Sequence, residues 1–229
     1  MHPDADASPD LVVVVVVSSR SSEVTVAERA LTPSDSGYWE ASYQAGDTGW
    51  DIGAPTPAWP ELCRLHELPV GRTLVLGAGR GHDALWFAER GDQVTAVDFA
   101  PSAVAAVHSA AHARGLSLEA RQADLFDLAP ELFGAFDLVV EHTCFCAIER
   151  HRRPEYAAVV SRMVRPGGHF VGVFYWLTPE GGPPFSSTAA DQHALFSPTF
   201  EILRLEPNPF SHARRAGKEG WGVFRRLGR

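Results

Sequence analysis

From position 72 onward the chain alternates short β-branched apolar runs with longer helix-like stretches, joined by brief polar connections. Thr73–Leu76 reads as a strand and Asp83–Arg90 as the helix after it, closed by Gly91. Gln93–Val97 is a second strand ending at Asp98. Pro101–Arg114 is an alanine-rich helix, with its proline at an early helical position and Gly115 beyond its end. Leu118–Gln122 forms a third strand. Phe136–Val140 is a continuous apolar run of the kind buried on both faces of a parallel sheet. Pro154–Val164 reads as a helix stopped by Arg165-Pro-Gly-Gly168, and His169–Trp176 as a fifth strand. After a Gly/Pro loop at 178–187 the pattern gives a helix over Thr188–Phe196, then strands over Phe200–Leu205 and Trp221–Leu227.

This alternation predicts a doubly wound α/β fold, a mostly parallel sheet with helices on both faces. The end of the chain departs from it. Residues 206–217 hold two prolines and a glycine but no helical pattern, so the last two strands are expected to pair as an antiparallel hairpin. The sheet would then have seven strands with an antiparallel last one. No repeat or linker divides the chain. Residues 31–229 are expected to form one domain, and 35–60, ahead of the sheet, form an aromatic segment within it.

The first strand runs into Gly77, Gly79 and Gly81 and then into a helix. Glycines at such a turn admit positive φ and let a ligand approach the backbone, while the helix start offers free N–H groups. A dinucleotide fingerprint needs its third glycine where His82 stands, so the G-x-G-x-G spacing suits a mononucleoside ligand better. Asp98 closes the second strand and Asp124 follows the third, in register with that loop. Singly, Asp98 also reads as a helix N-cap near Pro101, and Asp124 as a turn residue.

Composition narrows the partners. The 229 residues carry a formal net charge of −8, with 45% hydrophobic and 21% charged residues, as in a soluble globular protein. That balance argues against a nucleic-acid partner; Arg214, Arg215, Arg225, Arg226 and Arg229 are read mostly as solvated strand and turn positions. Three cysteines cannot all pair, and Cys144 and Cys146 are too close in sequence for a disulfide framework, which points to a reducing cytoplasm. His142-x-Cys144-x-Cys146 has no second ligand cluster, so buried thiols are expected rather than a metal. The run Leu11–Val17 is too short to span a bilayer and lacks the charged flank of a signal peptide. Residues 1–30 are expected to be a disordered or loosely attached leader, in which the valine run is an adventitious strand or an aggregation liability.

Leu76-Gly-Ala-Gly-Arg-Gly81, Val97-Asp98, Ala123-Asp124-Leu125 and Arg165-Pro-Gly-Gly168 together resemble the motifs of class I S-adenosylmethionine-dependent methyltransferases. Trp39-Glu-x-x-Tyr43, Trp50-Asp-Ile-Gly53, Thr56-Pro57, Glu141-His-Thr-Cys-Phe-Cys-Ala-Ile148 and Glu180-Gly-Gly-Pro-Pro-Phe185 are similar to the thiopurine methyltransferase superfamily, and within it to the thiol and halide methyltransferases. The likeness covers about residues 35–229. It departs at Tyr43, usually tryptophan, and at His142, commonly tyrosine in that subgroup.

The resemblance implies a Rossmann-like methyltransferase fold, S-adenosyl-L-methionine as cofactor, and a small soft acceptor such as a thiol, sulfide, thiopurine or halide. It leaves open an O- or N-methyltransferase, or a non-catalytic nucleoside-binding protein on the same fold. Gly77, Ala78, Gly79 and Gly81 would lie against the amino-acid part of the cofactor. Asp98 would serve the ribose, a carboxylate having the two acceptor oxygens its hydroxyls need, with Phe99 beside it in the cofactor group. Asp124, Leu125 and Phe126 would flank the adenine, and Glu141 is placed with the cofactor group. Trp39, Tyr43 and Trp50 would form a flap over the cofactor, or else fill a helix face in the core. His142 and Tyr175 are the acceptor-side candidates, with Trp176 next. His142 is either a base near its ordinary pKa or a structural histidine. A small-molecule acceptor, no nucleic-acid or membrane partner, and a monomer or weak homodimer complete the expectation.

Overall fold

The computed structural model describes residues 13–17, 26–176 and 181–228. Val13–Val17 (β1) pairs antiparallel with Val26–Ala30 (β2), so the valine run of the leader is a strand, one of the two readings given for it. The remainder of that leader, and Glu180, lie outside the described residues.

Two helices precede the main sheet. Ser36–Ala45 (α1) ends at Gly46, which takes the left-handed conformation at φ 73°. Its sequence hides it, because no residue of α1 is fully buried and no apolar stripe marks a face. Ala58–Leu65 (α2) buries Ala58, Trp59 and Leu62, an i, i+1, i+4 set on one short helix. The expected alternation follows as Arg72–Leu76 (β3), His82–Arg90 (α3), Gln93–Asp98 (β4), Pro101–Ala113 (α4), Glu119–Gln122 (β5) and Phe136–His142 (β6). Arg153–Met163 (α5), Val164–Tyr175 (β7), Ala189–Phe196 (α6), Phe200–Pro207 (β8) and Glu219–Arg226 (β9) complete it. A reciprocal capping box, Thr188 with Asp191, starts α6.

The seven strands lie in the order β5-β4-β3-β6-β7-β9-β8. Only β9 runs against the others, pairing antiparallel with both β7 and β8. Arg165–Gly168 does not precede the fifth strand of this sheet but forms an irregularity inside β7. Phe136 pairs with Val164 and Leu138 already with His169. Gly168 is required there, since a Cβ would come within 2.9 Å of the Asp137 carbonyl oxygen.

The period of two along the strands builds two cores. Leu74, Leu76, Val139, Phe170 and Phe174 face α5 and α6, meeting Tyr156, Met163 and Phe196. Val75, Leu138, Val140, Val171 and Val173 face the other way, meeting Trp59, Phe87 and Val107. Each such large apolar side chain contributes about 1.5–3 kcal/mol on burial. With both faces sealed, a ligand has access only at the strand ends. The order reverses at β3, flanked by β4 and β6, and the crevice at their carboxyl ends is where such sheets bind ligands.

Candidate active site

A cavity of about 500 Å3 lies over those carboxyl ends, lined also by α1 and the segment after it. At its floor the glycine loop leaves β3. Gly77 and Gly79 hold φ of 58° and 56°, and the Ala78 N–H donates to the Val97 carbonyl at 3.0 Å. A Cβ on Gly77 would press on the Cys144 sulfur at 2.9 Å, so the loop lies flat against the turn after β6. Gly79 faces the Tyr43 hydroxyl, 3.4 Å from where a Cβ would stand. Gly81 does not line the cavity. It starts α3 at φ 85° and packs on Val107, which a Cβ would approach to 2.9 Å.

Asp98, at the end of β4, accepts the Gly79 N–H (2.8 Å) on one oxygen and the Ala100 N–H (2.9 Å) on the other. Each oxygen keeps an acceptor site for a ligand hydroxyl. Burial pushes its pKa up against these hydrogen bonds. Phe99 lines the cavity beside it. Asp124 accepts the Phe126 N–H at 2.9 Å, so both the turn reading and the cavity reading hold for it, and that N–H is already used. Leu125 and Phe126 line the same end, where the Arg152 guanidinium lies 3.6 Å from the Phe126 ring centroid.

The aromatic segment forms the cap. Trp39 and Tyr43 project from one side of α1, and Trp50 meets them edge-on with ring centroids 5.5 and 5.6 Å apart. Glu40 anchors the helix, accepting from the Ser102 N–H (2.9 Å) and hydroxyl (2.6 Å) at the start of α4. Burial, with Asp98 nearby, raises the Tyr43 phenol well above its ordinary value. Arg80 reaches Asp51 at 3.0 Å and lies over the Tyr43 ring.

At the other end stands His142, the last residue of β6. Its Nδ1 is 2.9 Å from Asp83, which also accepts the Thr56 N–H (2.9 Å) and the Trp59 indole N–H (2.7 Å). Burial works against the Asp83 charge, but His142 and these donors outweigh it and hold the carboxyl below its ordinary value. Nε2 of His142 meets Arg215 at 2.7 Å, with Glu219 3.8 Å away. Burial disfavours charge on the ring while Asp83 and Glu219 favour it, lifting its pKa to about 9. The Arg215 contact demands the opposite. A guanidinium has no lone pair, so Nε2 must accept, and the ring is neutral here with its proton on Nδ1. In this arrangement Nε2 accepts, and the flanking carboxylates favour its taking a proton.

Tyr175 lines the cavity near Arg215, whose guanidinium is 5.8 Å from its ring centroid. Trp176 does not: its indole donates to Gln192 at 2.8 Å and its ring covers Gly220. Glu141 also falls outside the cavity. It is fully buried behind it, accepts the Phe145 N–H at 2.8 Å, and burial raises its pKa to about 7. Strand alternation turns it away from His142. Cys144 and Cys146 are free, and burial raises both thiols, which removes Cys144 as a nucleophilic methyl carrier.

Sequence reasoning missed four residues of this end. Asp83 was legible as a candidate, a carboxylate opening the helix after the glycine loop. Asp51 lies inside the Trp50–Gly53 motif, where its neighbours drew the attention. Arg215 and Glu219 had no local signal, and Arg215, read as solvated, is only 6% exposed.

Comparison with known proteins gives the site its chemistry. The family model described as thiopurine S-methyltransferase matches residues 34–226. The chain belongs to the thiopurine S-methyltransferase family. Accordingly it is an S-adenosylmethionine-dependent methyltransferase that acts on sulfur. This methyltransferase is 33% identical to thiocyanate methyltransferase 1 of Brassica oleracea, over 84% of this chain and 86% of that one. It is 30% identical to probable thiol methyltransferase 2 of Arabidopsis thaliana, over 86% and 88%. A solved structure concerning conversion of a disulfide bond into a thioacetal group in echinomycin biosynthesis superposes with a TM-score of 0.71. It is 26% identical, over 84% of this methyltransferase and 93% of that chain. Among the described residues, no helix is long and apolar enough to cross a membrane.

The residues fit that cofactor. Gly77, Ala78 and Gly79 line the cavity with backbone held at positive φ at both glycines, Asp98 keeps free acceptor sites, and the cavity is of a size that encloses one drug-sized ligand.

Proposed function

We propose that the acceptor is a small thiol, or a comparably small soft anion such as hydrosulfide or a halide, received between His142, Tyr175 and the aromatic cap. S-adenosylmethionine supplies an activated methyl group on a sulfonium, so the protein's work is alignment and exclusion of water. Gly77, Ala78 and Gly79 would hold its amino-acid part, Asp98 and Phe99 its ribose, and Asp124 and Leu125 its adenine. Trp39, Tyr43 and Trp50 would close over it and present aromatic faces to positive charge.

The observation that carries the reading is the buried Asp83–His142 pair at the cavity wall. Asp83 fixes the ring so that Nε2 is the accepting nitrogen. For a neutral thiol, which becomes a neutral thioether on receiving the methyl group, Nε2 would accept the S–H proton in place of the Arg215 hydrogen bond it holds. An acceptor already ionised at neutral pH needs no such help. Size supports a small acceptor, because 500 Å3 leaves little space beside a nucleoside cofactor. A cytoplasmic setting suits the three free cysteines, and a monomer or weak homodimer completes the proposal.

Labelled cofactor offered with hydrosulfide, alkyl and aryl thiols, thiopurine, iodide and catechol tests this. Small sulfur acceptors should be methylated fastest. Methylation of catechol alone would end the proposal.

A further inference from the structure

Arg215 sits on a 3-10 turn, Ala213–Arg215, between β8 and β9. One of its terminal nitrogens donates to His142 Nε2 at 2.7 Å and to Glu219 at 3.3 Å. The other donates to the Trp50 carbonyl. Arg214 beside it donates to the Asp51 carbonyl at 2.8 Å. The stretch that carries Trp50 thus hangs on two consecutive arginines from a distant loop, and Trp50 in turn supports Trp39 and Tyr43.

The charged groups that face His142 are Asp83 from α3 at Nδ1 and Arg215 and Glu219 at Nε2, while its β6 neighbour Glu141 is turned to the opposite face of the sheet. Trp59 of α2 lies edge-on to the ring, centroids 6.4 Å apart, and Tyr175 of β7 lies under Arg215. Nε2 has a single lone pair. A proton there and the Arg215 contact exclude each other, since two N–H groups would face one another.

We propose that Arg215 is a positioning residue that latches the aromatic cap to unprotonated His142, and that a proton arriving at Nε2 turns the guanidinium toward Glu219 and loosens its hold on Trp50. This rests on the reading of His142 given above. The cap is then held while the lone pair is engaged by Arg215 and released when the acceptor's proton displaces that hydrogen bond, the point at which thioether and spent cofactor must leave. Arg215 keeps its charge throughout, Glu219 accepts the hydrogen bond that His142 gives up, and the latch re-forms when the ring proton passes to water.

Ring 15N NMR of His142 and calorimetry with S-adenosylhomocysteine, followed from about pH 6 to about pH 9.5 on the full chain, test the latch in wild type, Arg215→Gln and Arg215→Lys. In wild type, affinity should rise as the ring loses its second proton between its ordinary 6.5 and about 9. In Arg215→Gln, affinity should fall about tenfold or more, its dependence on ring protonation should vanish, and the ring should hold its proton to higher pH. Arg215→Lys keeps the charge but spans only one acceptor, so the ring should titrate near wild type while affinity stays weak. Wild-type affinity and pH dependence in Arg215→Gln would overturn the latch; if that variant does not fold, wild-type affinity in Arg215→Lys overturns it. Failure of the histidine's own role is seen separately, as undiminished thiol turnover in His142→Gln.

Discussion

Replacing Asp83 by asparagine separates general-base help from simple positioning. The amide oxygen still accepts from Thr56 and Trp59, at 2.9 and 2.7 Å in the wild type, so the fold is kept. The negative charge 2.9 Å from His142 Nδ1 is lost. A unit charge at about 4 Å in a protein-like medium is worth about 4 kcal/mol, an upper bound of about three pH units on the ring. His142 should therefore fall from about 9 to near or below its ordinary 6.5. The asparagine NH2 also faces Nδ1, which must now accept, and this moves the ring proton to Nε2 against Arg215. The lower pKa makes the ring a weaker base but leaves more of it unprotonated, whereas the tautomer shift takes the proton acceptor out of the cavity. With an alkyl thiol, kcat/KM near neutral pH should drop by about 10²–10⁴. With iodide, which has no proton to lose, it should change little. Steady-state kinetics with both acceptors across the neutral range make the comparison. Equal losses for both, or none for the thiol, would refute the reasoning.

Glu141→Gln should stabilise the protein at high pH. Its buried carboxyl has a pKa raised from 4.5 to about 7 and an oxygen without a partner, so its contribution is fully present below 4.5 and is lost as pH rises through about 7. Denaturant unfolding of the variant should match wild type near pH 4 and exceed it by about 2–3 kcal/mol near pH 8; a constant difference would contradict this. Asp83 has the opposite sign. Held below 3.8, its contribution is present above that value and lost as pH falls through its lower folded value, so the stability curves of wild type and Asp83→Asn should converge in strong acid. Gly81→Ala should lower Tm, because its Cβ meets Val107 at 2.9 Å and its φ is 85°, whereas Asp98→Asn should chiefly weaken S-adenosylhomocysteine, by about 1–3 kcal/mol in calorimetry. Interchanged effects would contradict the roles proposed for the loop and for Asp98.

The glycine-loop end of the cavity, proposed to hold the cofactor, was legible because its residues follow one another at strand ends. Gly77–Gly79, Asp98 and Asp124 come in register with three successive strands, and periodicity located each strand within one or two residues. The acceptor half was not. His142 could be placed at a strand end, but its chemistry depends on Asp83, Arg215 and Glu219, which only folding brings to it. Arg215 lies in a turn rich in arginine and glycine, where solvation is the ordinary expectation. Glu141 misled for a local reason: one residue along a strand reverses the face, so the neighbour of a cavity residue points into the core. Helix α1 escaped because its aromatic face meets a cavity rather than a packed core, and no apolar stripe results.

The most direct measurement offers one acceptor molecule two nucleophiles. With 2-mercaptoethanol and 2-aminoethanethiol as acceptors and methyl-labelled S-adenosylmethionine as donor, mass spectrometry of the products shows where the methyl group lands. The label should appear on sulfur in both, at a rate that Asp83→Asn depresses. Label on the oxygen or the nitrogen, with sulfur left free, would contradict the account.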